Sequence, residues 1–295
     1  YKSAEEIAEI DKACIVTADM HLAAMRTVRP GLRESDVAAA VAEAAFKHNY
    51  QLSFPIIATI NGQTLHNHDH SHLIKSGDMV LLDAGAETEM GYAGDMSSTM
   101  PADRKFTQRQ RDVYDIQVAA HEAAVADLRP GVNFVDVYEH SCAIIMQGMK
   151  DLGFAKGDPM EAVKAGAHAM FMPCGLGHMM GLDVHDMENL GEVYVGYNGK
   201  PKSTQFGRKS LRLGRELEPG FVLTIEPGVY FIPELMDLWR KEGKFTEFLN
   251  YDKLETYKDF GGIRNEEDYL ITEDGARLLG KKIPVHAEDV ENEHC

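Results

Sequence analysis

Positive charge is scarce in this chain: 30 lysines and arginines stand against 47 aspartates and glutamates, a formal charge of −17. A surface of that sign repels phosphate, which excludes nucleic acid and anionic membranes as partners. Long apolar runs are missing as well, and none reaches the roughly 18 residues that a membrane helix needs. Cysteine is sparse. Cys14, Cys142, Cys174 and Cys295 lie far apart and form no CxxC pair, which argues against a disulfide framework or a thiolate zinc site and fits a cytoplasmic location. There is no leader pattern at Tyr1, where the chain runs directly into a helix start, so it reads as part of a longer protein with any targeting signal elsewhere. What remains is a globular composition, 44% hydrophobic and 26% charged over 295 residues, enough for a substantial core.

Helix signals come first along the chain. Ser3-Ala4-Glu5-Glu6 is a capping box, and Ile7, Ile10 and Cys14 recur at helical spacing, predicting a helix to about Thr27. Arg29-Pro30-Gly31 stops it. A second, alanine-rich helix is expected from Ser35-Asp36 to about Lys47. Thr107-Gln108-Arg109-Gln110 is another capping box, opening a helix that ends near Leu128 and is stopped by Arg129-Pro130-Gly131. Arg29, Pro30, Gly31, Asp36 and Val37 recur as Arg129, Pro130, Gly131, Asp136 and Val137, each 100 positions later. A fixed offset of this kind marks an internal duplication.

Between those helices an apolar run, Met79 to Leu82, ends in Asp83, and a glycine-containing turn leads to a second strand carrying Asp95. An even separation of 12 suits one face of a hairpin. Two aspartates could simply end two strands in an acidic chain. Set side by side, however, they repel unless a cation lies between them, and a metal ion is the compact answer. The hairpin has a twin: Gly77, Asp83 and Gly85 match Gly220, Glu226 and Gly228 at a shared offset of 143. Glu266, in the strand pattern Gly262 to Thr272, is expected as the counterpart of Asp95. Four carboxylates would then meet about a pseudo-twofold axis. His178, flanked by Gly175-Leu176-Gly177, offers an imidazole. Such an oxygen-dominated set suits Mn²⁺, Fe²⁺, Co²⁺ or Zn²⁺, and five protein donors suit two bridged ions better than one.

These motifs carry a resemblance. LLDAG ending at Gly85, GYAGDMSST from Gly91, GLGHMMGLDVHD from Gly175, TIEPGVYF from Thr224 and GGIRNEEDY from Gly261 occur in the order seen in the creatinase/aminopeptidase ("pita-bread") metallopeptidases. The chain resembles the Xaa-Pro dipeptidase (prolidase) and Xaa-Pro aminopeptidase branch over essentially its whole length. The resemblance implies an α+β pita-bread fold: two duplicated halves, each two helices and a β-hairpin, about residues 1–100 and 101–295, with helices outside a curved antiparallel sheet. It implies one catalytic domain lacking the family's N-terminal domain, and a homodimer.

By the same resemblance Asp83, Asp95, His178, Glu226 and Glu266 hold two divalent ions, Mn²⁺ foremost. Glu226 also accepts the proton of the attacking water, and His185 donates to the scissile carbonyl. His66 contacts substrate near the leaving group, and Arg212 grips the free carboxylate of a dipeptide. The activity implied is hydrolysis of the bond preceding proline in Xaa-Pro dipeptides. Alternatives are an Xaa-Pro aminopeptidase acting on longer peptides and a non-catalytic pita-bread binding module. Two departures are notable. Cys174 stands where prolidases usually place a pocket-lining histidine, and the turn between Asp83 and Asp95 is one residue long for the pattern, which a bulge would absorb. The run His66-Asn67-His68-Asp69-His70-Ser71-His72 could present alternate imidazoles to a metal, but reads as a polar loop in which His66 alone has a role.

Overall fold

The computed structural model describes residues 1–294; Cys295, counted among the cysteines above, lies outside them. The elements run α1 (Ala4–Thr27), α2 (Glu34–Phe46), β1 (Gln51–Leu52), β2 (Ile57–Thr59), β3 (Met79–Ala84), β4 (Ala86–Glu87), β5 (Met96–Pro101), α3 (Gln108–Asp127), α4 (Phe134–Asp151) and α5 (Pro159–Ala165). After α6 (Glu192–Tyr197) come β6 (Val222–Ile225), β7 (Gly228–Phe231), α7 (Pro233–Glu242), α8 (Tyr251–Glu255), β8 (Gly261–Arg264), β9 (Glu267–Ile271), β10 (Ala276–Leu278) and α9 (Ala287–Glu293).

Cap chemistry sets the helix starts. The Ser3 hydroxyl accepts from the Glu6 amide while the Glu6 carboxylate accepts from the Ser3 amide, and Thr107 and Gln110 repeat the exchange on α3. Helix α2 begins slightly earlier than expected. Asp36 takes the Arg33 amide at 2.7 Å, and the buried Glu34 carboxylate accepts from the amides of Ile60 and His72.

The duplication is written in backbone hydrogen bonds. Gly31 donates to the carbonyl of Ile74 at 2.9 Å, and Gly131 donates to that of Leu217 at 2.8 Å. Ile74 answers to Leu32, and Leu217 to Val132, both at 2.8 Å. Both glycines are left-handed, with φ of 93° and 82°, where a Cβ is disfavoured. Thus the loop glycines repeat at one spacing and their strand-side partners at the other. Helix α1 packs on α2 and α3 on α4, each pair outside the strands of its own half.

In the first half β2, β3 and β5 pair antiparallel, with Asp83 opposite Ser97. The β3 ladder ends at Ala84, and at Gly85 the backbones approach so closely that a Cβ would lie 1.9 Å from the Gly94 carbonyl oxygen. Beyond the break the register is unchanged: Glu87 bridges Ala93, and the Thr88 amide donates to the Tyr92 carbonyl at 3.0 Å. The bulge expected between Asp83 and Asp95 is therefore not there. The extra length sits at the tip, where Gly91 takes φ of 83°.

In the second half β6 pairs β9 and β7 pairs β8 in one continuous register, which sets Glu226 opposite Glu266. The ladder breaks there because Pro227 has no N–H to donate. Asp83 and Asp95, by contrast, are diagonal neighbours, since Asp83 faces Ser97. Register thus corrects one expectation: Glu266 is the counterpart of Ser97, not of Asp95. Those two residues face one another where the halves join, with the Ser97 hydroxyl donating to Glu266 Oε2 at 2.7 Å.

Residues 176–180 add themselves beside β6. Thr224 donates to the His178 carbonyl at 3.0 Å, Glu226 to that of Leu176 at 2.8 Å and Met180 to that of Val222 at 3.0 Å. Backbones this close need Gly177, whose Cβ would fall 2.0 Å from the Thr224 carbonyl oxygen. The core is one large cluster with two smaller ones beside it, and in the large one Tyr114, Phe134, Tyr138, Phe154, Phe171 and Phe231 are fully buried. Trp239 on α7 joins it at 4% exposure, so the segment between Tyr230 and Gly261 is packed structure. Among the described residues, Cys14, Cys142 and Cys174 are free thiols, and no helix is long and apolar enough to cross a membrane.

Gly177→Ala is expected to destabilise the protein by at least about 2 kcal/mol, as a forced backbone shift in a packed interior should. Gly275→Ala, where nothing lies within 4 Å, should stay within roughly 0.5 kcal/mol of the parent. Equal denaturant midpoints for the two variants would contradict the close approach.

Candidate metal centre

The two halves bring their carboxylates to one cavity of about 390 Å³. Asp83 and Asp95 reach it from the first hairpin, Glu226 and Glu266 from the second ribbon, and His178 from the strand beside β6. His66, His185 and Cys174 line the same cavity, together with Tyr230 and Arg264, which sequence reasoning did not single out, and His68, which it had read as part of a polar loop without a role. Arg212 does not line it. Its guanidinium is tied to Glu188 at 2.6 Å, with Glu192 at 3.9 Å.

At the centre of the group, donor atoms of Asp95, His178 and Glu266 all lie within 4.8 Å of one another. His178 Nε2 stands 3.3 Å from Asp95 Oδ2 and 3.7 Å from Glu226 Oε1. Its Nδ1 hydrogen-bonds the Met179 carbonyl at 3.0 Å, which fixes the ring and aims Nε2 at the carboxylates. The Asp95 amide is anchored by Asp268 Oδ2 at 3.1 Å, and the Cys14 thiol donates to the same oxygen. His185 meets the His178 ring edge-on, with centroids 4.3 Å apart.

Asp83 is held differently. Arg264, 5% exposed, spreads its guanidinium over Asp83 Oδ2 at 2.6 Å, the Ser97 hydroxyl at 2.8 Å and the Tyr230 hydroxyl at 2.8 Å. The signal for it was an arginine inside the otherwise buried strand GGIRNEEDY, where an unpaired guanidinium would be prohibitive. Its partners come from three other strands, so only the fold reveals them.

One arginine does not balance this much buried negative charge. Burial raises the carboxyls of Asp83, Glu226 and Glu266, with Arg264 opposing and neighbouring carboxylates reinforcing. Burial alone would lower His178, yet Asp95 and Glu226 carry it to about 9. Burial, with His178, Arg212 and His66 nearby, drives His185 down to about 3. Burial pushes the Cys174 thiol up to about 11, so it stays protonated. Asp83 Oδ1 is buried with no hydrogen-bond partner at all. An orphaned carboxylate oxygen beside several carboxylates and an aimed imidazole is the donor set that a divalent cation satisfies.

The histidine run diverges. His66 and His68 line the cavity, His70 Nε2 lies 3.0 Å from the Ile56 carbonyl oxygen and His72 Nδ1 lies 2.9 Å from Glu34. Alternate imidazoles therefore do not face one way.

Comparison with known proteins agrees with the geometry. The pattern of metallopeptidase family M24 matches residues 8–273. Xaa-Pro aminopeptidase of Escherichia coli strain K12 is 35% identical over 296 residues, covering 99% of this chain and 58% of that protein. Xaa-Pro dipeptidase of Homo sapiens is 32% identical over 289 residues, covering 94% of this chain and 56% of that protein. Among solved structures, proline aminopeptidase P II from Yersinia pestis aligns with a TM-score of 0.82 at 34% identity, covering 99% of this chain and 60% of its own. Zinc-substituted aminopeptidase P of Escherichia coli in complex with product aligns at 0.81 and 34%, covering 99% and 59%. The chain thus spans somewhat over half the length of these relatives. With a family match across most of its length and relatives of both kinds above 30% identity, the chain belongs to metallopeptidase family M24.

Proposed function

We propose that this chain supplies the catalytic centre of a peptidase that hydrolyses the bond preceding proline in Xaa-Pro dipeptides. The observation that supports it most is the convergence of four carboxylates and His178 on one cavity, with Asp83 Oδ1 orphaned in it. Asp83, Asp95, His178, Glu226 and Glu266 would hold two divalent cations, Mn²⁺ by preference. Such ions provide a nucleophile from water at neutral pH and polarise the carbonyl under attack.

The remaining work falls to the chain's own groups. Glu226 has the most open side chain of the acidic donors compared, 23% exposed against 13% for Asp83 and 6% for Asp95. It is placed to accept the proton of the attacking water and return it to the leaving nitrogen. His185, neutral and exposed beside His178, donates to the developing oxyanion. His66 faces the same space. Phe54, Pro55, Ile57 and Leu65 give that space an apolar wall for a proline ring. Proline's tertiary amide offers no N–H at the scissile bond, so shape is what selects it. The Cys174 thiol, smaller than an imidazole and uncharged, leaves this wall more apolar.

Arg212 favours a second reading. A dipeptide carboxylate would have to draw its guanidinium away from Glu188, whereas a longer peptide places no carboxylate there. This supports an Xaa-Pro aminopeptidase. Hydrolysis of Ala-Pro and Ala-Pro-Ala by the full-length, Mn²⁺-loaded protein separates the two: cleavage of the dipeptide alone fits the dipeptidase, and preference for the tripeptide moves the assignment to the aminopeptidase. Cleavage of neither would sink both and leave a binding module.

Glu226→Gln is expected to lower kcat by roughly 10²- to 10⁴-fold, and His185→Ala by about 10²- to 10³-fold with metal content retained. Arg264→Met should cost the metal-free protein about 3–5 kcal/mol, because it strands the buried Asp83 carboxylate. Added divalent cation should recover part of that loss. A variant as stable as the parent without metal would show that Arg264 is not the counter-charge.

A further inference from the structure

A second cavity, of about 380 Å³, opens on the outer side of the sheet between α3, β9, β10 and the approach to α9. Side chains alternate along β9, so Glu266 and Asp268 face the metal centre while Glu267 and Tyr269 face α3. The closed end of the cavity is polar. His121 and Glu267 are 3% and 6% exposed, and the Tyr269 hydroxyl donates to Glu267 Oε2 at 2.7 Å. His121 Nε2 stands 3.7 Å from that same oxygen and is buried with no hydrogen-bond partner. Burial holds this imidazole down to about 4, and the ring bonds the backbone at Ile225, which leaves Nε2 as an acceptor.

The rest of the cavity has a different character. Val125, Ala126, Leu278 and Val285 form an apolar wall, and the exposed Lys282 stands at the rim; burial raises the Glu267 carboxyl, with the Tyr269 hydroxyl and the Lys282 charge opposing that rise. Glu122 and His286 pair across the mouth at 3.1 Å. Two neighbouring acceptors, one without a donor, ask for a group that brings several N–H bonds. A bare metal ion would meet the repulsion of Lys282. An ammonium directed inward, a carboxylate towards Lys282 and an aliphatic body against the wall satisfy every part at once.

We propose that this cavity binds a free α-amino acid with an aliphatic side chain, its ammonium on Glu267 and His121 Nε2 and its carboxylate towards Lys282. The site is separate from the metal centre, and the inference does not depend on the peptidase reading.

The test is calorimetric titration of the chelator-treated, full-length protein with L-leucine, N-acetyl-L-leucine and L-leucinamide. L-Leucine is expected to bind saturably. N-acetylation, which removes the charge-assisted bonds, should weaken binding at least about tenfold. Loss of the carboxylate in the amide, or of its partner in Lys282→Ala, should weaken it roughly threefold, as for an exposed ion pair. Val125→Phe should abolish it by filling the cavity. Lys282 is exposed, so its replacement keeps the test valid should Val125→Phe fail to fold. Absence of saturable binding would mean that only water occupies the cavity. Binding untouched by Lys282→Ala and by N-acetylation would place leucine elsewhere. Either result overturns the proposal.

Discussion

Repulsion among buried carboxylates is the constraint on which the rest of this structure depends. Asp83, Asp95, Glu226 and Glu266 share one cavity, where Arg264 pairs with Asp83 and the His178 ring lies against Asp95. Such a group is costly in a closed interior. It persists because the two hairpins are locked to one another at Ser97 and Glu266 and because Arg264 ties Asp83, Ser97 and Tyr230 into one network. The duplicated fold therefore does more than repeat a unit: each half delivers acidic side chains to one shared cavity.

Much of this was legible in the sequence, for physical reasons that differ by feature. Ser3 and Thr107 were readable as helix starts because a capping box is a local device. Gly31 and Gly131 were readable because each must adopt left-handed backbone at the same turn. Asp83 and Glu226 were readable from a shared offset, Asp95 from its even separation from Asp83, Glu266 from a strand pattern and His178 from its flanking glycines, and the fold gathers them into one cavity.

What escaped was set by pairing between distant strands. Register, which equates Glu266 with Ser97, depends on which residues face one another across the join. The roles of Arg264 and Asp268 depend on the same join, since Asp83 and Ser97, which Arg264 holds, and Asp95, which Asp268 anchors, lie more than 150 positions away. The expected bulge failed because Gly85 lets the hairpin backbones pass closely without a change of register. Arg212 could be matched to a motif, but its tie to Glu188 is a tertiary fact. Histidines at alternate positions looked equivalent in the sequence, yet His70 and His72 have separate partners in the fold.

The most direct measurement is a crystal structure of the protein soaked in Mn²⁺, with anomalous difference maps collected at the manganese edge. The account predicts two anomalous peaks in the cavity, within coordination distance of Asp83, Asp95, His178, Glu226 and Glu266 and about 3.5–4 Å apart. Peaks confined to the surface, or none in the cavity at saturating Mn²⁺, would show that these carboxylates are stabilised without a cation and would contradict it.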